Sequence, residues 1–138
     1  MTEPLTPLES VAWLCVRDGR LLAVRTEGRD VFYLPGGKLE PGESGPQALA
    51  RELAEELGVR ADPGELTPAF VIEDEAHGQG GRPLRMTCFT GPATGELRPA
   101  REIAELDWFL ASAQDARRGA PALRQVLTRL AVDGTVAA

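Results

Sequence analysis

The chain has 138 residues, 43% of them hydrophobic and 26% charged, a balance that excludes a disordered chain and suffices for one buried core. Its net charge of −6 excludes nonspecific binding to a nucleic-acid polymer, which needs a basic footprint. A small phosphorylated molecule stays compatible with that charge if divalent cations accompany it, and the lack of an apolar run near the roughly 20 residues that span a bilayer speaks against a membrane partner.

The N-terminal MTEPLTPLES has neither a basic start nor an apolar segment, so no secretory signal is expected and the cytoplasm is the expected compartment. VAWLCVRDGRLLAVRTEG (11–28) reads as a β-hairpin of Val11–Val16 and Leu21–Val24, turned at Asp18-Gly19. VFYL (31–34) is a short strand, stopped by Pro35-Gly36-Gly37, and LEPGESG (39–45) is turn material.

A helix then begins with a legible start. Ser44 and Gln47 have capping-box spacing, and Pro46 falls in the first turn, where no amide donor is needed. Gly58 is placed for a left-handed cap. Leu49, Leu53 and Leu57 recur every four residues as the buried stripe, and Glu52, Glu55 and Glu56 form a second stripe about a quarter-turn away. The carboxylates should flank the core edge.

Further on, 65–76 and 82–91 read as two strands joined by the loop HGQGG, with Glu96–Leu97 and Leu106–Leu110 as shorter strands. LASAQDARR (110–118) predicts a helical turn or two, and Leu123, Val126, Leu127 and Leu130 predict an amphipathic helix over 120–131. The expectation is one α/β domain over 1–138, with helices on the faces of a mixed sheet. Cys15 and Cys88 lie in apolar runs, and two buried reduced thiols are a simpler reading than a bridge between them.

Chemistry concentrates in GKLEPGESGPQALARELAEELGV (37–59). Like charges at i,i+4 repel by about 0.2–0.5 kcal/mol per exposed pair, so the glutamate stripe needs a reason. A loop with Glu40 and Glu43 and one helix face converge carboxylates, and Mg²⁺ or Mn²⁺ prefers such hard oxygen ligands alongside substrate phosphates.

This stretch resembles the Nudix box, which reads G, five residues, E, seven residues, R-E-U-x-E-E-x-G-U, with U a bulky aliphatic. Gly37, Glu43, Arg51, Glu52, Leu53, Glu55, Glu56, Gly58 and Val59 fill every specified position across 23 of the 138 residues. The resemblance implies an α/β/α sandwich with the box (37–59) as a loop–helix–loop beside a diphosphate linkage. It implies a hydrolase of nucleoside diphosphate derivatives that uses Mg²⁺, with Mn²⁺ as a substitute.

Carried over by position, the resemblance makes Glu52, Glu55 and Glu56 the metal-binding and catalytic carboxylates, with a main-chain carbonyl near Gly37 as a further ligand. Arg51 orients Glu52 or its neighbours, Glu43 is supportive, and Glu102 or Glu105 in EIAEL is a metal-binding or basic glutamate. Arg25 is the phosphate contact at a strand end, weighed against a plain surface arginine. Tyr33 and Phe32 are the aromatic residues best placed to stack on a base, ahead of Trp13, Phe70 and Phe89. Arg82, Arg85 and His77 read more readily as edge-strand and loop residues.

The marks of NADH-cleaving, ADP-ribose, dinucleoside-polyphosphate and coenzyme A-cleaving groups are absent. The remaining pattern looks most like MutT-type proteins, many of which take nucleoside triphosphates to the monophosphate and pyrophosphate. ADP-ribose or nucleotide-sugar cleavage, and a nucleotide-sensing module without catalysis, are the alternatives. A homodimer is compatible with the resemblance.

Overall fold

The computed structural model describes residues 6–76 and 80–138. Its strands are β1 (Leu8–Trp13), β2 (Val16–Arg17), β3 (Arg20–Thr26), β4 (Gly36–Lys38), β5 (Thr67–Glu75), β6 (Pro83–Thr90) and β7 (Ile103–Phe109). The helices are α1 (Gly45–Leu57), α2 (Ala113–Ala116) and α3 (Pro121–Val132), with a 3₁₀ turn at Pro63–Glu65.

Two sheets form. One has the order β4-β1-β6-β5 and is mixed, because β1 runs parallel to β6 while the other pairs are antiparallel. The other is antiparallel, in the order β2-β3-β7. The chain passes between them at Leu14 and Cys15: the Leu14 amide donates to the Phe89 carbonyl and the Cys15 carbonyl accepts from the Leu22 amide. The expected hairpin over 11–28 is therefore shorter than its pattern suggests. Only Val16–Arg17 pairs back on β3, around a turn in which Asp18 and Gly19 both have positive φ. Val11–Trp13 instead pairs with β4 and β6, partners that local alternation does not reveal.

The sheets are covered on opposite faces. Val11, Trp13, Leu22, Val24 and Phe89 pack under α1 with Leu49, Leu53 and Leu57, which are all buried. Ala12, Leu21, Ile72, Cys88 and Phe109 pack with Leu123, Val126, Leu127 and Leu130 of α3. This is the α/β/α layering that the sequence leads one to expect. Cys15 and Cys88 are free thiols in different core clusters, and burial pushes both up, Cys88 to about 12. No helix among the described residues is long and apolar enough to cross a membrane.

The caps of α1 follow their residues. Ser44 Oγ accepts from the Gln47 amide at 3.2 Å, and Gln47 Oε1 accepts from the Ser44 amide at 3.0 Å. Gly58 closes the helix at φ 67°. The strand expected at Glu96–Leu97 does not form. That segment instead satisfies the end of α1, with the Arg98 and Ala100 amides donating to the carbonyls of Leu57 and Glu56. Residues 31–34 make only isolated bridges, Tyr33 to Val24 and Phe32 to Gly119.

Gly36 allows β4 to close on β1. Its φ is 147°, and a Cβ there would overlap the Val11 carbonyl oxygen. Gly36→Ala is expected to unseat β4 and lower the melting temperature by several degrees. Thermal denaturation followed by circular dichroism checks this, and an unchanged melting temperature would show that β4 can shift without loss.

Candidate active site

Three pieces of chain meet around Glu56: the Gly36–Lys38 strand, the inner edge of α1 and the segment 98–102. Glu56 is the most enclosed of the helix glutamates, at 7% exposure, and its Oε1 accepts from the Gly36 amide at 3.0 Å. Burial pushes its carboxyl up to about 8. The Gly36 hydrogen bond opposes that rise, while the charges of Glu52, Glu102 and Glu55 add to it.

Glu52 lies against the other glycine. A Cβ on Gly37 would come within 2.7 Å of the Glu52 carboxylate, so glycine lets that carboxylate lie directly on the backbone. Burial raises the Glu52 carboxyl and Arg51 partly offsets the rise. Glu55 is more open.

Arg51 ties these groups together. Its guanidinium holds Glu43 bidentately, Nε to Oε2 at 2.8 Å and Nη2 to Oε1 at 3.0 Å. Nη1 reaches Glu52 at 3.0 Å and Glu55 at 3.5 Å, and Nη2 also donates to the Lys38 carbonyl at 3.2 Å. Hydrogen bonding by Arg51 holds the Glu43 carboxyl below its usual range. Glu43, rated only supportive from sequence, is thus the arginine's main partner.

Glu102 arrives from across the chain. The Ala100–Glu56 backbone bond delivers the segment, and Arg101 turns it with a left-handed φ of 54°, a strained value for a residue with a Cβ. Glu102 then borders a cavity of about 330 Å³ together with Glu56, Gly36, Gly37, Tyr33 and Arg29. The apolar residues Leu8, Leu84, Met86 and Leu123 line the same cavity, with Ser10 and Glu75 among them. Its size is at the lower end for small-molecule sites.

The donors around Glu56 are all hard oxygens, which suits Mg²⁺ or Mn²⁺. Among the described residues no three acidic, histidine or cysteine side chains stand as a finished metal cage. Glu52 and Glu55 are turned to Arg51 and Glu56 to Gly36. A finished cage is not what Mg²⁺ needs, since it keeps several waters and takes one or two carboxylates plus substrate phosphates. The buried, mutually repelling carboxylates fit such an ion.

Other residues named from sequence fall elsewhere. Phe32 is 4% exposed, with its ring against Phe109 at 5.1 Å and under the Arg118 guanidinium at 4.9 Å, so it has no face to offer a base. Arg25 Nε pairs with Glu105 at 2.7 Å, which accounts for both residues away from the cavity lining. Trp13 and Phe89 belong to the core, and the Phe70 ring is covered by Arg129 at 4.3 Å. Arg82 donates to the Thr6 carbonyl, and Arg85 stands opposite Glu73 on the edge pair β5–β6. His77 lies outside the described residues. Arg29 was missed. Its signal was weak, a lone arginine in the polar loop TEGRD.

A loop–helix carboxylate site on an α/β/α sandwich defines the class, and a family model for the NUDIX domain matches residues 6–130. The chain belongs to the Nudix family. It is 44% identical over 70 residues to a MutT-like protein of Streptomyces ambofaciens, covering 50% of this chain and 46% of that protein. It is 50% identical over 62 residues to the CTP pyrophosphohydrolase of Escherichia coli strain K12, covering 42% and 46%. The chain spans about half the length of the curated relatives it matches. Among solved structures, the E. coli ORF135 protein superposes with a TM-score of 0.72 at 30% identity, over 93% of this chain and 91% of that one.

Glu56 gives a pH test. Its folded value near 8 exceeds the ordinary 4.5, so the neutral acid is favoured by folding. That stabilisation is complete below about pH 4.5 and is lost as pH rises to 8. In chelator, the melting temperature of the wild type relative to Glu56→Gln is expected to fall across this window. A constant difference between the two would show that Glu56 is not held neutral.

Proposed function

We propose that this protein is a divalent-metal-dependent pyrophosphohydrolase that cleaves the diphosphate linkage of a nucleotide, and that its substrate is a nucleoside triphosphate, released as monophosphate and pyrophosphate. The observation that carries the reading is the intact trio Glu52, Glu55 and Glu56 on one helix, the last of which lines a cavity together with Glu102, Gly36 and Gly37. The match to a CTP pyrophosphohydrolase supports a triphosphate over ADP-ribose or a nucleotide sugar.

In this reading Glu52, Glu55, Glu56 and Glu102, with the Gly37 carbonyl, hold the cation. Bound there, Mg²⁺, or Mn²⁺ in its place, supplies positive charge and Lewis acidity at the diphosphate. The protein's own groups do the rest. Arg51 keeps Glu52 and Glu55 from splaying apart while the site is empty of phosphate, and Glu43 fixes Arg51. The Gly36 amide takes one oxygen of Glu56 and leaves the other to a ligand or a proton. Enclosed to this degree, Glu56 keeps a proton near neutral pH until a cation takes its place. Tyr33, on the cavity wall, contacts the nucleotide, while the apolar side chains of the same lining exclude water from it.

Product analysis on nucleoside triphosphates, ADP-ribose, nucleotide sugars and dinucleoside polyphosphates, with Mg²⁺, Mn²⁺ or chelator, tests this reading. Metal-dependent release of pyrophosphate from a triphosphate is expected. Glu52→Gln and Glu56→Gln should fold and lose about 10²–10⁴-fold in kcat, and Arg51→Gln about 10–100-fold. Tight nucleotide binding without any product would replace the enzyme with a sensing module.

A further inference from the structure

Four charged residues line the cavity among those described: Glu56, Glu75, Glu102 and Arg29. Three are acidic, so an anionic ligand meets a single protein cation on these walls. Arg29 is also unengaged. Among the described residues no hydrogen bond or ion pair takes its guanidinium, although Glu102 borders the same cavity. The nearby Tyr33 phenol registers its charge, which opposes the upward push of burial there.

The backbone beneath this free side chain is fixed at three points. The Arg29 amide donates to the Thr26 carbonyl at 3.1 Å, and the Glu27 amide donates to the Glu102 carbonyl at 2.8 Å. The Arg29 carbonyl accepts from Arg25 Nη1 at 3.0 Å, and Arg25 is itself held by Glu105 at 2.7 Å. The loop 27–30 is thus braced against β7 and against the segment that carries Glu102. A braced main chain under an unpaired cation at a cavity wall is what an anion contact requires, since less ordering entropy is left to lose on binding.

We infer that Arg29 binds a phosphoryl group of the substrate and that Arg25 is a positioning residue that aims it. This rests on the nucleotide-hydrolase reading above and deepens it. The guanidinium presents a planar fork that matches phosphoryl oxygens, whereas the carboxylates around it bind phosphate only through a cation. Arg29 would act in the bound substrate before and during the reaction alike, so its loss weakens binding more than turnover.

The test is steady-state kinetics with CTP, or with whichever nucleotide the wild type cleaves fastest. Arg29→Ala is expected to raise KM about tenfold with kcat within about threefold, and Arg29→Lys to recover part of that loss. Arg25→Gln is expected to raise KM in the same direction, and Arg25→Gln combined with Arg29→Ala to be no worse than Arg29→Ala alone. A KM unchanged in Arg29→Ala, with the wild type active, overturns the inference and leaves the hydrolase intact. Additive losses in the double variant remove Arg25's part. If the wild type cleaves no nucleotide, the hydrolase reading fails, and calorimetric titration with magnesium pyrophosphate decides for Arg29. Binding weakened about tenfold in Arg29→Ala supports the phosphoryl contact, and equal binding overturns it.

Discussion

The enclosure of the Glu56 carboxylate, one helical turn from the fully buried Leu53 and next to the buried Leu57, is the constraint around which the rest of the site is arranged. Taking a carboxylate out of water costs several kcal/mol in a real protein. One hydrogen bond from the Gly36 amide returns about 1.5–3 kcal/mol, which leaves the charge under-compensated. Desolvation wins, and the three neighbouring carboxylates push the same way. An isolated structural glutamate in this position would be a poor choice against leucine. The residue makes physical sense as a group that waits for a counter-charge.

Arg51 answers the neighbouring carboxylates, Glu43, Glu52 and Glu55, rather than Glu56 itself. Its partners are partly exposed, and isolated pairs of that kind contribute about 0–1 kcal/mol each. The value of the network lies in geometry. The fork is locked on Glu43, and from that fixed position one nitrogen can face both Glu52, its neighbour in sequence, and Glu55, one turn on. The box spacing thus becomes a mechanical statement. The loop glutamate immobilises the helix arginine, which in turn sets the directions of two helix glutamates, while the glycine pair lets Glu52 and Glu56 lie on the backbone of β4.

Much of this was readable in the sequence because its causes are local. Capping of α1 depends on residues three apart, its buried stripe on a repeat of four, and the carboxylate stripe on the same helix. The errors have a common physical origin in long-range pairing. Alternation marked Val11–Val16 as extended but could not say that the chain changes sheets at Leu14–Cys15. Glu96–Leu97 has strand composition, yet the segment it opens serves the open carbonyls at the end of α1. Phe32 and Tyr33 are adjacent and equally aromatic. A parallel bridge to Gly119 turns Phe32 into the core, and Tyr33 reaches the cavity because alternate residues face opposite ways. The pairing that takes up Arg25 likewise comes from Glu105, 80 residues away.

The polar and apolar groups that line the cavity divide the work of recognition unequally. At the carboxylates, charge, hydrogen-bond direction and an ion's coordination preferences all act together, and each is worth kcal/mol. Leu8, Leu84, Met86 and Leu123 offer contact area, and the start of α3 adds the cap residue Ala120 with Pro121 and Ala122, none with a polar side chain. A pocket wall of that kind separates ligands differing by a methylene by only about 1–3 kcal/mol, and it rejects an added hydroxyl no better. A nucleobase resting there would be held by burial and read chiefly by main-chain groups. In the nucleotide reading, the phosphate chain meets the charged groups and the base meets mostly apolar lining, so selection among bases is the weaker of the two.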